Sequence, residues 1–237
     1  MRERQNVENK VVKVYRHELK FLLSKIEYEQ LRRLLGALLV KDENAKAGGD
    51  YYIRSLYFDT PENKDYYDKM IGVVQRKKIR LRLYDIAADQ VKLEIKNKEN
   101  NYSIKETATI SRKDALLLIK GENSVLAQYD NDISKKVYFN LSSYGYTPKV
   151  VVDYEREAYL LPIENVRITF DKNVRACKGN GLFEERNALV GVLAPEYVIL
   201  EVKYDKYLPT YVKNMLSAVN MQRMSISKYC MARETVG

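Results

Sequence analysis

The strongest pattern in the sequence is an alternation of charged and apolar residues at successive positions. In KIRLRLY, residues 78–84, basic residues occupy every second position up to 82, and isoleucine or leucine lies between them. The segments 91–98, 166–171 and 198–204 repeat this arrangement. A period of two residues predicts β-strands that have one polar and one apolar face. Weaker alternation predicts further strands at residues 14–23, 52–58, 102–110 and 149–158, about eight strands in all.

Helix signals lie between these strands. Ser24 and Glu27 have the spacing of a capping box, which predicts a helix from there to about residue 39. Ser111 and Asp114 form a looser version of the same signal, before a helix that runs through Ile119. Further helices are predicted at residues 61–70, 123–143, 209–220 and 225–234.

The connections between the strands decide the type of sheet. Those between residues 75 and 110 are short, and short connections allow only antiparallel hairpins. About eight antiparallel strands are enough to close a small barrel. We therefore expect an α+β protein, an antiparallel eight-stranded β-barrel with flanking helices. Residues 1–12 are predicted to be a polar tail and residues 13–237 a single domain, because no segment has the composition of a linker.

The charged faces of the predicted strands contain more bases than acids. The whole chain has 41 lysine and arginine residues against 32 acids, a formal net charge of +9. The simplest interpretation turns each charged face to water, with Glu94 and Glu201 paired to nearby lysines. Arg156, however, shares a face with Val150 and Val152, where an unpaired charge is costly unless it meets an anion or water.

A barrel whose charged faces point inward accounts for these observations. Its lumen is wet and cationic, and helices cover its apolar outer face. Like charges about 4 Å apart repel by about 4 kcal/mol at an effective dielectric constant of about 20, so such a lumen requires an anion. A phosphate chain suits it, because arginine grips phosphate oxygens in a fork and lysine acts as a point charge.

The scarcity of histidine and cysteine, and the lack of nucleotide-binding motifs, exclude several other kinds of functional site. The single histidine, His17, cannot support a histidine-rich metal site, and Cys177 and Cys230 form no CxxC pair. Neither a P-loop nor a dinucleotide fingerprint occurs. No segment contains the ~18 apolar residues that cross a bilayer, and the charged start is unlike a secretory signal. We therefore expect a cytoplasmic protein with reduced thiols.

Nine short segments stand in a recognisable order along most of the chain. They are RHELKF (16–21), SLYFDT (55–60), IRLRLY (79–84), LEIKNK (93–98), SIK (103–105), DYEREAY (153–159), VRITFD (166–171), LEVK (200–203) and SISKY (225–229). In this order they resemble the triphosphate tunnel metalloenzymes (the CYTH-like superfamily), and within them the polyphosphate polymerase domain of the vacuolar transporter chaperone (VTC) family. The resemblance implies a tunnel-shaped antiparallel barrel that binds a nucleoside triphosphate or a polyphosphate chain along its axis.

The resemblance also implies roles for individual residues. The basic ligands of phosphate would be Lys20, Arg80, Arg82, Lys96, Lys105, Arg156, Arg167 and Lys228, with hydroxyl groups from Tyr154 and Ser227. Glu201 would hold a divalent ion, Mn²⁺ or Mg²⁺, with Glu18, Glu94 and Lys203 beside it as tunnel lining. The implied catalytic set is Arg80, Arg82, Lys96, Arg156, Arg167 and Glu201, and Lys203 belongs to the set that binds substrate. Thr107 departs from the pattern, because family members often carry a basic residue there.

The implied function is that of a polyphosphate polymerase-like phosphotransferase, which moves the γ-phosphate of ATP onto a polyphosphate chain. Its partners would be ATP and polyphosphate, and we expect neither a phosphate-sensing domain nor a membrane span in this chain. Two alternatives of the same fold stay open: a hydrolase of triphosphate or polyphosphate, and a binding module without turnover, such as a sensor or a scaffold for a membrane protein. A nucleic-acid binder is disfavoured, because the tyrosine pairs at 51–52 and 66–67 lie away from the arginine-rich strands.

Overall fold

The computed structural model describes residues 10–12, 17–42, 49–99, 102–161, 165–179, 181–184 and 189–237. Eleven strands in this part of the chain form one sheet. They are β1 (Lys10–Val12), β2 (His17–Ser24), β3 (Val40–Lys41), β4 (Asp50–Asp59), β5 (Gln75–Leu83), β6 (Gln90–Glu99), β7 (Tyr102–Ser111), β8 (Thr147–Leu161), β9 (Val166–Lys178), β10 (Val190–Gly191) and β11 (Tyr197–Tyr204). The eight longer strands match the predicted ones, and β1, β3 and β10 are additions of two or three residues.

Two predictions fall partly on residues that lie outside the described part of the chain. The predicted polar tail is described only at Lys10–Val12, and these residues pair with β7. The first predicted strand is described from His17 onwards and continues to Ser24. The end of the predicted tail therefore belongs to the sheet.

The strand order is β1-β7-β6-β5-β4-β8-β9-β11-β2, with β10 beside β9 and β3 beside β8. Every pairing is antiparallel, as predicted. Among the described residues the order ends at β1 and β2, so closure into an eight-stranded barrel is not confirmed. The sheet nevertheless curls, because Lys96 of β6 and Glu18 of the edge strand β2 approach to 3.0 Å. This curl gives the sheet a concave and a convex face.

Helices cover the convex face through two hydrophobic clusters. The first lies beneath α1 (Lys25–Gly36) and α5 (Thr210–Leu216), against apolar side chains of β2, β9 and β11. The second lies beneath α3 (Arg112–Ile119) and α4 (Asp132–Tyr144), where Ile79, Leu81 and Leu93 of the alternating strands are buried. The apolar faces therefore point away from the concave side, as the alternation predicts.

The helix boundaries follow the predicted caps. The Ser24 hydroxyl accepts a hydrogen bond from the Glu27 amide at 3.3 Å, and the Glu27 carboxylate accepts one from the Ser24 amide at 2.7 Å, which completes the capping box. The helix predicted at 123–143 is instead a 3₁₀ helix, Asn123–Gln128, followed by α4. The break occurs because Asn131 caps a new helix by accepting from the Ser134 amide at 2.8 Å. The remaining helices are α2 (Lys64–Met70) and α6 (Lys228–Val236).

The last helix lies on the concave side of the sheet, where the sequence predicted a flanking position. Tyr229, Cys230 and Ala232 of α6 pack against Val150 and Val152 of β8 in a third hydrophobic cluster. This helix therefore occupies part of the predicted wet lumen and covers the apolar residues Val150 and Val152 on the concave face of the sheet. No helix in the described part of the chain is both long and apolar enough to cross a membrane.

Candidate functional site

The remaining concave space is a cavity of about 430 Å³ with a cationic lining. Thirteen lysine and arginine residues and two glutamates are among the residues that line it. Ten of the predicted site residues meet there: Lys20, Arg80, Arg82, Lys96, Tyr154, Arg156, Glu201, Lys203, Ser227 and Lys228. The structure thus brings together side chains from β2, β5, β6, β8, β11 and α6, which are far apart in the sequence.

One wall of the cavity is the β5–β6 hairpin. Arg80 lies directly opposite Glu94 in the register, and its Nε donates to the Glu94 carboxylate at 2.6 Å. Arg82 donates to the Ser55 hydroxyl at 3.2 Å and lies 3.9 Å from the same carboxylate. Burial alone would raise the pKa of Glu94, but Arg80, Arg82 and Lys105 lower it below its usual value. Glu94 therefore stays ionised and holds both guanidinium groups in place.

The opposite wall contains the predicted metal ligand. The Glu201 carboxylate lies 2.9 Å from the Lys203 ammonium, 3.5 Å from Lys20 and 3.7 Å from Arg156. Glu18, on the neighbouring strand, also interacts with Glu201 and lies 3.1 Å from Lys20. Burial alone would raise the pKa of Glu201, but the surrounding cations lower it well below its usual range. The two carboxylates therefore carry negative charge into a largely positive cavity.

A fourth carboxylate, Asp171 of β9, was not in the predicted site. It is fully buried and accepts two hydrogen bonds from Arg156, at 2.6 and 2.8 Å, and pairs with Lys228 at the start of α6. Burial acts to raise the pKa of Asp171, but Arg156 and Lys228 outweigh it and lower the pKa to about 2. Asp171 thus fixes Arg156 and joins the start of α6 to the sheet.

The predicted hydroxyl groups lie among these cations. The Tyr154 hydroxyl is 3.5 Å from Arg82, and its ring lies beneath the Lys228 ammonium, 4.8 Å from the ring centre. Ser227 caps α6 by accepting from the Cys230 amide at 3.3 Å, and it also accepts from the Lys78 ammonium at 2.8 Å. Both side chains can therefore reach an anion that is bound by the surrounding bases.

Two predicted phosphate ligands do not line the cavity. Arg167, on the concave face of β9, donates to Asp42 at 2.7 Å and to the Tyr51 hydroxyl at 2.6 Å, near the end of its strand. The alternation along β9 correctly placed Arg167 on the concave face. β9 extends beyond the cavity, however, and Arg167 lies on the part of the strand outside it. Lys105 is half exposed and lies 3.3 Å from Glu94, and it is not among the residues that line the cavity.

Two cavity residues that the sequence interpretation omitted are Tyr57 and Lys78. Arg80 donates to the Tyr57 hydroxyl at 2.9 Å, and the Tyr57 ring stacks on Tyr229 with centres 5.1 Å apart. Burial acts to raise the pKa of Tyr57, but Arg80, Arg82 and Lys78 lower it to about 8. Burial lowers the pKa of Lys78 to about 8. The period of two in β5 already placed Lys78 on the same face as Arg80 and Arg82, and this signal could have identified it. Tyr57 shares its face of β4 with Ile53 and Ser55, so the local pattern gave no comparable signal for it.

The carboxylates of the cavity determine how a metal ion could bind. In the described residues there is no group of three or more His, Cys, Asp or Glu side chains arranged to hold one. Glu18 and Glu201 nevertheless form a pair of hard oxygen donors. Mg²⁺ typically takes one or two carboxylates and completes its shell with phosphate oxygens and water. The donor set therefore fits a hard divalent ion that enters together with bound phosphate.

Known structures share this fold at low sequence identity. The proposed adenylyl cyclase HpAC1 from Hippeastrum, which has a dominant triphosphatase activity, superposes with a TM-score of 0.58 at 15% identity and covers 93% of this chain and 96% of its own. An adenylate cyclase-like protein of Bacillus halodurans has a TM-score of 0.50 at 14% identity, with coverage of 87% and 88%. The PH1819 protein of Pyrococcus horikoshii has a TM-score of 0.50 at 14% identity, with coverage of 93% and 99%.

Comparison of the sequence itself identifies the family. None of the curated proteins matches this chain. The family model described as the VTC domain matches residues 15–236, which is nearly the whole chain. This range contains all the strands that line the cavity, together with α6 and its cap. The match covers all nine sequence motifs, which lie between residues 16 and 229, and this chain therefore belongs to the VTC domain family.

Proposed function

We propose that this protein is a phosphotransferase of the polyphosphate polymerase type. It transfers the γ-phosphoryl group of ATP to the end of a polyphosphate chain, which leaves ADP and a chain longer by one phosphate. The observation that carries the proposal is the convergence of thirteen basic residues and only two acids on one cavity of about 430 Å³. A positively charged lining favours the binding of a polyanion. Membership of the VTC domain family supports a phosphate compound as that ligand.

Transfer of a phosphoryl group needs little covalent chemistry from the protein, because positioning and charge stabilisation do most of the work. Arg80, Arg82 and Arg156 would grip the transferring and accepting phosphates, each held in advance by Glu94 or Asp171. Fixed guanidinium groups lose little freedom when a phosphate binds, so their interaction with the transition state is stronger. The lysines of the lining, Lys20, Lys96, Lys203 and Lys228, would neutralise the remaining phosphate charge.

Glu201 and its neighbour Glu18 would hold Mg²⁺ or Mn²⁺. Such an ion neutralises charge on phosphate oxygens and orients them for in-line transfer. Arg167 has no place in this proposal, because its guanidinium binds Asp42 and Tyr51 outside the cavity lining. Lys105 contributes through Glu94, whose carboxylate it contacts.

A triphosphatase is the second candidate, and two observations favour it. The cavity opens to solvent beside Arg223 and Ser225, which are both exposed, so water can reach a bound phosphate. The Hippeastrum protein of the same fold has a dominant triphosphatase activity. The two candidates differ in the acceptor of the phosphoryl group, which is a phosphate chain in one and water in the other.

The two candidates are separated by incubating the protein with ATP and Mn²⁺ or Mg²⁺ and measuring both long chains, on a gel, and free phosphate. Polymerase activity gives chains and ADP, whereas free phosphate without chains would identify a triphosphatase. Glu201→Ala and Arg82→Ala are each expected to lower turnover by about 10²–10³-fold, the usual effect of losing one electrostatic contact to a transition state. Glu122→Ala and Arg33→Ala, at exposed positions outside the cavity, are the matched controls. Full turnover in both cavity variants would contradict the proposed site.

A further inference from the structure

The open end of the cavity carries a cluster of bases that the proposed transfer does not use. It consists of Lys69 of α2, Arg76 of β5, Lys98 of β6 and Arg223, which precedes α6, and we call it the mouth cluster. These residues come from four separate parts of the chain. Lys69, Arg76 and Lys98 are partly exposed and Arg223 is exposed, so all four can be reached from solvent.

The hairpin register places like charges opposite each other at the mouth. Arg76 lies directly opposite Lys98, and Lys78 lies directly opposite Lys96. Like charges at directly opposed positions destabilise an antiparallel pair. Further along the same strands, Arg80 lies opposite Glu94 and Arg82 lies opposite Lys92, but Arg82 has the Glu94 carboxylate at 3.9 Å. The like-charged pair at the mouth has no ion pair of this kind among the described residues. Without a ligand, these opposed bases repel each other. An anion bound between their side chains would replace the repulsion by attraction.

The mouth cluster also lacks carboxylate partners. In the described part of the chain, no acid forms an ion pair with any of its four side chains, and Lys69 instead donates to the Ser225 hydroxyl at 2.7 Å. Burial lowers the pKa of Lys69 and of Lys98, and the nearby Arg76 lowers both further. Glu18 acts in the opposite direction and raises the pKa of Lys98, so its charge offsets part of the repulsion at the mouth without forming an ion pair there.

The mouth cluster is continuous with the inner cavity, which is the part of the cavity around Arg80, Arg82, Arg156 and Glu201. Arg76, Lys78, Arg80 and Arg82 occupy every second position of β5, so their side chains share the concave face over about 20 Å at about 3.3 Å per residue. A phosphate chain held at Arg80 and Arg82 therefore meets two further bases along the same strand. No aromatic side chain stands between the bases on this face of β5 and β6, and the tyrosines that line the cavity, Tyr57, Tyr154 and Tyr229, lie on β4, β8 and α6. The row of bases along β5 and β6 therefore offers no surface of its own on which nucleic-acid bases could stack.

We propose that the mouth cluster is a second phosphate-chain site, which binds the part of a linear inorganic polyphosphate that extends beyond the inner cavity. The proposal rests on the proposed function and deepens it. The inner cavity grips a terminal group of phosphates of any length, whereas the mouth cluster contacts only chains long enough to reach it. Long polyphosphate therefore contacts both the inner cavity and the mouth cluster, whereas tripolyphosphate contacts the inner cavity alone.

The test compares two ligands, tripolyphosphate and long-chain polyphosphate, by calorimetry at several salt concentrations. The variant Arg76→Ala/Lys98→Ala is matched with Lys113→Ala/Lys120→Ala, which removes the same charge at exposed positions of α3 and its end. In the mouth variant we expect long-chain affinity to fall about tenfold with a shallower salt dependence, and tripolyphosphate affinity to change by less than about twofold. The control variant should keep both affinities. Melting curves verify that both variants fold.

Other outcomes would overturn the proposal in distinguishable ways. Unchanged long-chain affinity, or equal losses for both ligands, would refute the mouth site and leave the proposed function standing. Failure of the unaltered protein to bind either ligand would refute the proposed function and the mouth site together. A single-stranded DNA that displaces long-chain polyphosphate at equal phosphate concentration, and that loses affinity in the same variant, would assign the mouth cluster to nucleic acid instead.

Discussion

The inner cavity and the mouth cluster both concentrate positive charge, but they differ in the number of carboxylates that accompany the bases. Around the inner cavity, the carboxylates of Glu94 and Asp171, behind the lining, and of Glu201, in the lining, each contact two or more bases within 4.0 Å. At the mouth, bases face bases across the hairpin without an acid. The inner bases are therefore ordered before any ligand arrives, whereas the mouth bases become favourable only when an anion binds.

This difference separates two kinds of contribution to function. Buried carboxylates fix the direction of the guanidinium groups, which suits the exact positioning that phosphoryl transfer requires. Partly exposed, unpaired bases give long-range attraction and affinity for charge, and they tolerate variation in the position of a flexible chain. The experiments below change one kind of region at a time, in order of decreasing expected effect.

Removing a carboxylate from the inner cavity should have the largest effect on stability. Asp171→Asn removes the carboxylate that accepts two hydrogen bonds from the buried Arg156 and pairs with Lys228, which leaves Arg156 only the more distant Glu201 carboxylate at 3.7 Å. Breaking a buried ion pair in this way typically costs about 3–5 kcal/mol. We expect a loss of that size in urea unfolding, partly restored by tripolyphosphate, whose charge replaces the carboxylate. Asp89→Asn, at an exposed position, is the control. A loss below about 1 kcal/mol would show that the inner network is not buried as described.

The pH dependence of binding should be intermediate in size. Lys78 and Lys203 each have a pKa lowered to about 8 by burial, and the pKa of Tyr57 is also lowered to about 8. As pH rises through about 8, both lysines lose positive charge and the tyrosine gains negative charge, so all three changes weaken anion binding. We expect tripolyphosphate affinity to fall at least about tenfold, or about 1.4 kcal/mol, between pH 7 and 9.

A variant that cannot lose its charge sharpens this prediction. Lys78→Arg keeps a permanent cation at the same place on β5, because arginine stays protonated throughout this range. The fall in affinity between pH 7 and 9 should therefore be smaller than in the unaltered protein. Lys113→Arg, at an exposed position of α3, should leave the profile unchanged. An affinity that is constant or rises over this interval would contradict the assigned titrations.

The smallest effect on stability is expected at the mouth cluster. A substitution there should stabilise the protein, whereas Asp171→Asn should destabilise it. Arg76→Ala removes a repulsive pair with Lys98, so the unliganded protein should become more stable by about 0.2–1 kcal/mol in urea unfolding at low salt. Because the two charges are partly exposed, the gain should shrink at high salt. Lys113→Ala should be close to neutral. Destabilisation by Arg76→Ala at low salt would mean that the mouth bases are paired and not repelling.

Much of the fold and most of the candidate site could be predicted from the sequence. The eight longer strands, their antiparallel pairing and the Ser24 capping box follow from local patterns, and the structure confirms them. Alternation along β5 also correctly separated Arg80 and Arg82 from the buried Ile79 and Leu81. These features depend on a few neighbouring residues, because side chains of a strand alternate between its two faces wherever the strand lies.

The tertiary structure decided which residues of the correct face meet. Arg167 and Arg82 both point to the concave side, yet only Arg82 lines the cavity, because register and strand length set the height of each side chain in the sheet. The placement of α6 inside the curl, and the position of Lys69 and Arg223 at its mouth, depend on packing between distant segments. A local pattern carries no information on such contacts, since the free energy that selects them comes from burial and charge pairing in the folded chain as a whole.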